Sequence, residues 1–112
     1  MDCIFCKIAE GTIPSNKVYE DEFCLAFHDI NPQTPVHVLV IPKQHIASAD
    51  EVSAENSLAV AKIFEVIPTV ARLAGITNGY RVITNCGEDA CQTVKHLHFH
   101  VMGGRALPEQ MG

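Results

Sequence analysis

The sequence is short of positive charge. Eight lysines and arginines stand against 13 aspartates and glutamates, giving a formal net charge of -5 and a pI near 5.6. A chain with that balance has no basic footprint for gripping nucleic acid or an anionic membrane, although a nucleotide pocket can still be locally positive. It also lacks an apolar run of the ~18 residues that a membrane span needs, and no charged n-region followed by an apolar h-region opens it. Five cysteines, at 3, 6, 24, 86 and 91, make an odd count without a secretion signal, which disfavours a disulfide framework and favours thiols or thiolate ligands. Repeats, low-complexity tracts and linkers are missing too. These absences leave one compact domain of 112 residues, 47% hydrophobic and 19% charged, expected in the cytoplasm.

Spacing divides the chain into a few elements. DCIFCKIAEG winds into a short helix ended by Gly11, with Ile4, Phe5 and Ile8 on one core-facing side. Residues 17–20 and 22–28 read as a tight hairpin broken at Asp21, and the prolines of NPQTP mark 31–35 as loop. VHVLVI, 36–41, is dense in β-branched residues and stops at Pro42, so it reads as a buried strand with His37 as its one polar interruption. The long helix takes Ser53 as N-cap and runs to Gly75, with an apolar stripe of Val60, Phe64, Ile67, Ala71 and Ala74. Pro68 lies inside it and removes one backbone hydrogen bond, so a kink or local break is expected there. YRVIT, 80–84, is a strand, NCGEDACQT, 85–93, is a polar loop, and a last strand carries the histidines to Gly103. Strands joined through hairpins around one long helix describe an α+β domain on an antiparallel sheet.

HLHFHVMGG, 96–104, sets three histidines at every second position. A strand rises about 3.3 Å per residue and alternates its faces, so His96, His98 and His100 share one face while Leu97, Phe99 and Val101 share the other. One metal for all three rings is disfavoured by reach unless the strand twists strongly, because the outer pair stand about 13 Å apart at Cα while metal–nitrogen bonds are about 2 Å. Three titratable rings in line on a core face are costly to bury without purpose, which points to an active site. A neutral imidazole whose other nitrogen is held by an acceptor can act as a nucleophile towards phosphorus. The middle ring, His98, has support on both sides. Thr93 and Asn85, in the preceding loop, are candidate donors to phosphoryl oxygens.

H-L-H-F-H-V-M resembles the signature of the histidine triad (HIT) family, and the likeness extends through C-I-F-C-K-I, F-H-D-I, V-I-P-K-Q-H and C-Q-T-V-K-H in the order expected of its Hint branch, spanning residues 3–105. The resemblance implies an α+β HIT fold of about five strands with one long and one short helix. It implies hydrolysis of purine nucleoside 5′-phosphoramidates, of AMP or GMP type, through a nucleotidyl-histidine in a symmetric homodimer. His98 then matches the nucleophile and His100 the phosphate-binding ring, the backbone or His37 would help to order the rings, and His96 takes a scaffold role. Asp29 matches the carboxylate that binds the ribose hydroxyls, and Ile4, Phe5, Ile8, Phe27 and Ile30 the base slot. Two departures stand out. Cys91 occupies a position where glycine is usual, in a turn whose amide approaches the phosphate. Thr93 stands where Hint proteins carry serine and looks like the Fhit branch, which splits dinucleoside polyphosphates. A non-catalytic nucleotide-binding regulatory protein would use the same pocket. The tail RALPEQMG has no tryptophan; in Hint proteins it reaches the partner's site and shapes leaving-group preference.

Cys3 and Cys6 form a C-x-x-C, a spacing that alone fits metal binding, redox chemistry or coincidence. Bacterial members of the family with this pair intact hold zinc, and the resemblance implies one structural ion per chain on Cys3, Cys6, His45 and His96. No catalytic metal or organic cofactor is expected.

Overall fold

In the computed structural model, which describes residues 3–111, helix α1 (Ile4–Glu10) begins where the Sγ of Cys3 accepts the amide of Cys6 at 3.4 Å. It ends at Gly11, whose φ of 84° lets its amide turn back to the carbonyl of Ile8. Strands β1 (Lys17–Glu20) and β2 (Cys24–His28) form an antiparallel hairpin at Asp21, whose Oδ1 accepts the amides of Phe23 and Cys24 at 2.8 and 2.9 Å. Strand β3 (Val36–Pro42) pairs with β2 and with β5 (Phe99–Gly103), and β4 (Tyr80–Ile83) closes the sheet beyond β5. The five strands are antiparallel in the order β1-β2-β3-β5-β4. One register row crosses all five, Lys17, Phe27, Leu39, His100 and Ile83.

Alternation sends each face of the sheet to a different helix. Cys24, Ala26, Val38, Val40, Leu97, Phe99 and Val101 pack with α2 (Ser57–Leu73), whereas Leu25, Phe27, Leu39 and Ile41 pack with Phe5 and Ile8 of α1. Complete burial of side chains such as Leu25, Ile41 and Ile63 is worth about 1.5–3 kcal/mol each. No helix among the described residues is long and apolar enough to cross a membrane.

Several local expectations need correction. Ile4 is 49% exposed, so the buried face of α1 is Phe5 and Ile8 without it. The long helix starts at Ser57 with Asn56 at its N-cap. Ser53 sits in the preceding turn, where its amide donates to Asn56 Oδ1 at 2.8 Å. Its buried stripe is Ala59, Ile63, Ile67, Val70 and Ala71, while Phe64 is 51% exposed and Val60 only partly buried; Pro68 leaves the helix unbroken. Finally β4 stops at Ile83, and the last strand begins at Phe99, so His96 and His98 precede the ladder.

Candidate active site

The two leading histidines are held extended without belonging to the sheet. The amide of Leu97 donates to the carbonyl of Ile46, at 2.6 Å, and the hydroxyl of Thr84 donates to the carbonyl of His98 at 2.8 Å. These bonds carry the strand's alternation back past its end. Leu97 therefore joins Phe99 and Val101 in the α2 core, and His96 and His98 turn to the α1 side, buried to 0% and 6% exposure.

Hydrogen bonds fix which nitrogen of each ring carries a proton. Nδ1 of His98 lies 2.7 Å from the carbonyl of His96. A carbonyl only accepts, so Nδ1 is the donor and Nε2 keeps its lone pair. A second chain begins at the Gln33 amide, which donates to Nδ1 of His37 at 3.0 Å and leaves the proton of that ring on Nε2. That Nε2 donates to Nδ1 of His100 at 2.8 Å, with Oδ2 of Asp29 3.3 Å away on the same side. His100 must then carry its proton on Nε2, a buried atom with no partner among the described residues. Burial pushes His37 below the usual imidazole range, against the pull of Asp29. Burial, then the neighbouring His98 and His37, pushes His100 down to about 4.

The result is a lone pair on His98 and an uncommitted N–H on His100, in rings whose centroids are 5.2 Å apart. Such a pair suits attack on a centre that carries oxyanions, the lone pair forming the bond and the N–H holding an oxygen. Phe5 meets His98 edge to face at 5.1 Å and Phe27 at 5.7 Å, which gives the site an apolar wall on the β2 side.

His96 faces elsewhere. Its Nε2 donates to the carbonyl of Pro42 at 2.8 Å, so Nδ1 is free of a proton. That Nδ1 lies 3.4 Å from Cys3 Sγ, 3.5 Å from Cys6 Sγ and 3.2 Å from Nδ1 of His45, while Cys6 Sγ is 3.2 Å from His45 Nδ1. A tetrahedron with metal–sulfur bonds of about 2.3 Å and metal–nitrogen bonds of about 2.05 Å has edges of about 3.3–3.8 Å, the longest between the two sulfurs. The four atoms lie within 4.8 Å of one another and could hold a metal ion. Burial, then the hydrogen bond and charge of Cys3, push the Cys6 thiol up to about 11. The triad's first ring thus faces the Cys–His group that could hold a metal, while its main-chain carbonyl holds the ring of His98.

The remaining expected residues divide. Phe5, Ile8 and Phe27 share one buried cluster, whereas Ile4 and Ile30, the latter 92% exposed, lie outside it, and Ile13 and Val94 pack there instead. Asn85 and His100 line one cavity. Thr93 is exposed. Cys91 has a φ of 60°, the left-handed conformation that glycine adopts readily, and its amide donates to Glu88 within the loop at 2.9 Å rather than pointing outward unpaired. Two residues that the sequence left without a role hold the site. Gln92 accepts from the Gly87 amide and donates to Ala47 and Val94, and Thr84 fixes His98. Polar side chains flanking an apolar strand were the only visible signal for either.

The HIT domain model matches residues 10–107. A 13.2 kDa HIT-like protein of Azospirillum brasilense is 52% identical over 106 residues, covering 93% of this chain and 87% of its own. A histidine triad protein from Clostridium difficile superposes with a TM-score of 0.93 at 50% identity, over 99% of this chain and 97% of its own. A HIT family hydrolase from Legionella pneumophila gives 0.94 at 42% identity, over 99% of this chain and all of its own (100%). With its fold, its triad and nearly its whole length shared with these proteins, the chain belongs to the HIT-domain family.

Proposed function

We propose that the protein is a HIT hydrolase that cleaves purine nucleoside 5′-phosphoramidates, with His98 as nucleophile. The observation that carries this reading is the fixed tautomer of His98, whose Nδ1–H is tied to His96 so that Nε2 presents its lone pair beside the unpartnered Nε2–H of His100. His98 Nε2 forms a bond to the α-phosphorus as the P–N bond breaks, and the departing amine takes a proton. Water then attacks the nucleotidyl-histidine, giving the nucleoside monophosphate, freeing Nε2 and releasing to solvent one proton, which balances the one the amine took from solvent. The N–H of His100, and donors from Asn85 and Thr93, favour the charge that develops on the phosphoryl oxygens. Phe5, Ile8 and Phe27 offer an apolar slot to a purine, and Asp29 a carboxylate to a ribose.

In this reading Cys3, Cys6, His45 and His96 hold one structural zinc, for which the thiol and imidazole donor set and its near-tetrahedral spacing are the support. Zinc would tie α1 to the sheet. A homodimer is supported by β4, which is an edge strand, and by exposed Leu58, Phe64 and Leu73 on α2 with Tyr80 on β4. The cytoplasm suits five cysteines that form no disulfide among the described residues.

The test is turnover of a fluorogenic adenosine phosphoramidate, run beside a dinucleoside polyphosphate, with wild type and His98→Ala. Wild type is expected to release AMP and to trap a nucleotide adduct on His98 after acid quench, while the variant folds, binds AMP and loses turnover. Near wild-type rate in His98→Ala overturns the assignment.

A further inference from the structure

A cavity of about 390 Å³ opens beside His100 and is lined by His37, Asn85, Met102, Arg81, Arg105 and Leu107 among others. Two of the three arginines in a chain of net charge -5 meet there. Arg81 donates from Nη2 to the carbonyl of Pro108 at 2.6 Å, and Arg105 from Nη1 to the carbonyl of Ala106 at 3.0 Å. Carbonyls orient a guanidinium without neutralising it, and among the described residues neither arginine pairs with a carboxylate. Gly104, with a φ of 93°, turns the chain from β5 into the segment that carries Arg105 over the sheet. A β-carbon at Gly104 would come within 3.0 Å of Pro35, so this turn has no room for a side chain.

Register fixes the direction in which this cavity lies. Across the sheet face run Phe27, Leu39, His100 and Ile83, and beside that row run His37, Met102 and Arg81. The apolar wall of Phe5 and Phe27 is therefore on the β2 side of the two reacting histidines, and the arginines are on the β4 side. A phosphorus centre at His98 and His100, with its nucleoside against the apolar wall, would direct its other substituent towards the arginines.

We infer that the cavity on the β4 side of His100 is an anion site for the leaving group, so that substrates whose leaving group carries anionic oxygens are preferred over those with a neutral or cationic one. This rests on the proposed phosphoramidate reaction and names the substrate class within it. The anionic oxygens have two chemical sources. In a carboxylate-bearing amine, the P–N bond breaks as before and the amine takes its proton while the carboxylate stays with the arginines. In a polyphosphate, a P–O bond breaks and the leaving oxygen departs as a phosphate oxyanion that needs no proton. Charge-assisted bonds from guanidinium to such oxygens are the stronger kind, and two in a partly enclosed cavity are sufficient to select.

The experiment compares kcat/KM for adenosine 5′-phosphoramidates of propylamine, β-alanine and 1,3-diaminopropane, and for diadenosine tetraphosphate, on the full chain. Wild type is expected to favour β-alanine over propylamine by about tenfold, as one charged hydrogen bond permits, and to disfavour the diamine. The tetraphosphate arm tells a carboxylate site from a phosphate site. In Arg81→Met with Arg105→Met the β-alanine to propylamine ratio falls towards one, while Arg81→Lys, which keeps the charge, retains most of it. Equal or better cleavage of the propylamide by wild type, or a preference that survives the double variant, overturns the inference. Should wild type cleave no phosphoramidate, the parent reading fails and titration with inorganic pyrophosphate decides alone: binding lost in the folded double variant upholds the anion site, and equal binding in both proteins sinks it.

Discussion

Lowering the pH from about 7 to about 5 should destabilise the protein through His100, whose Nδ1 already accepts the Nε2–H of His37 at 2.8 Å. A second proton on His100 would put two N–H groups face to face in a partly buried site. Burial and the neighbouring imidazoles accordingly hold its folded value at about 4, against 6.5 for an ordinary histidine. Because the folded value is the lower one, the unfolded chain binds more protons between the two. Stability from His100 is therefore fully present above 6.5 and is lost as the pH falls towards 4. At 1.36 kcal/mol per unit the whole effect is about 3 kcal/mol, of which about 2 kcal/mol is gone by about pH 5. Urea unfolding followed by far-UV circular dichroism measures it, with wild type and His100→Gln each compared at the two pH values. His37 and His96 are also held low by burial and contribute in both proteins. The difference between wild type and variant isolates His100. Wild type should lose about 2 kcal/mol more than the variant, a midpoint shift near 1 M urea. Equal losses would refute the proton assignment along the Gln33–His37–His100 chain.

Other outcomes follow from the same geometry. Gln92→Ala deletes three hydrogen bonds, to Gly87, Ala47 and Val94, and should cost about 2 kcal/mol, visible as a melting point lower by about 10 °C; a change under about 2 °C would show that the loop is held by other means. Removing metal from purified protein with a strong chelator should lower the melting point and release about one zinc per chain, and Cys6→Ala should abolish that release. Native mass spectrometry that finds no bound ion after zinc-replete expression ends the proposal of a structural zinc.

How much of this was legible in sequence depends on whether a feature is local. The alternation of His96 to Val101 prescribed two faces, and those faces hold even where the ladder does not, because the bonds from Leu97 and Thr84 extend the strand geometry. The phase of α2 was not local. SLAVAKIFEVIPTVARL offers two apolar stripes that share Ile67 and Ala71, and only contact with the sheet selects the one through Ala59 and Ile63. Phe64 stays on the outer side yet meets Phe99 edge to face at 5.3 Å, so both stripes touch the core to some degree. Ser53 is a good capping residue that the chain uses in a turn, because Asn56 stands nearer the first helical residue. The triad was visible as three residues of one type at a telling spacing, whereas the Cys–His group was visible only through the family resemblance, because the C-x-x-C spacing alone is ambiguous. Gln92 and Thr84 were not, since their partners lie at Ala47 and His98 and become neighbours only after folding. Arg81 and Arg105 likewise meet only because β4 lies next to β5 and the tail folds back.

The double duty of His96 constrains how this protein can change. Its carbonyl accepts the Nδ1–H of His98, while its imidazole sits among two sulfurs and another imidazole. Any descendant that discarded the thiols would still have to keep one main-chain oxygen in place to within a few tenths of an ångström, using packing around Phe5 and the anchor at Pro42 in place of coordination. On the proposed mechanism, residues that never touch a substrate would then set the orientation of the nucleophile.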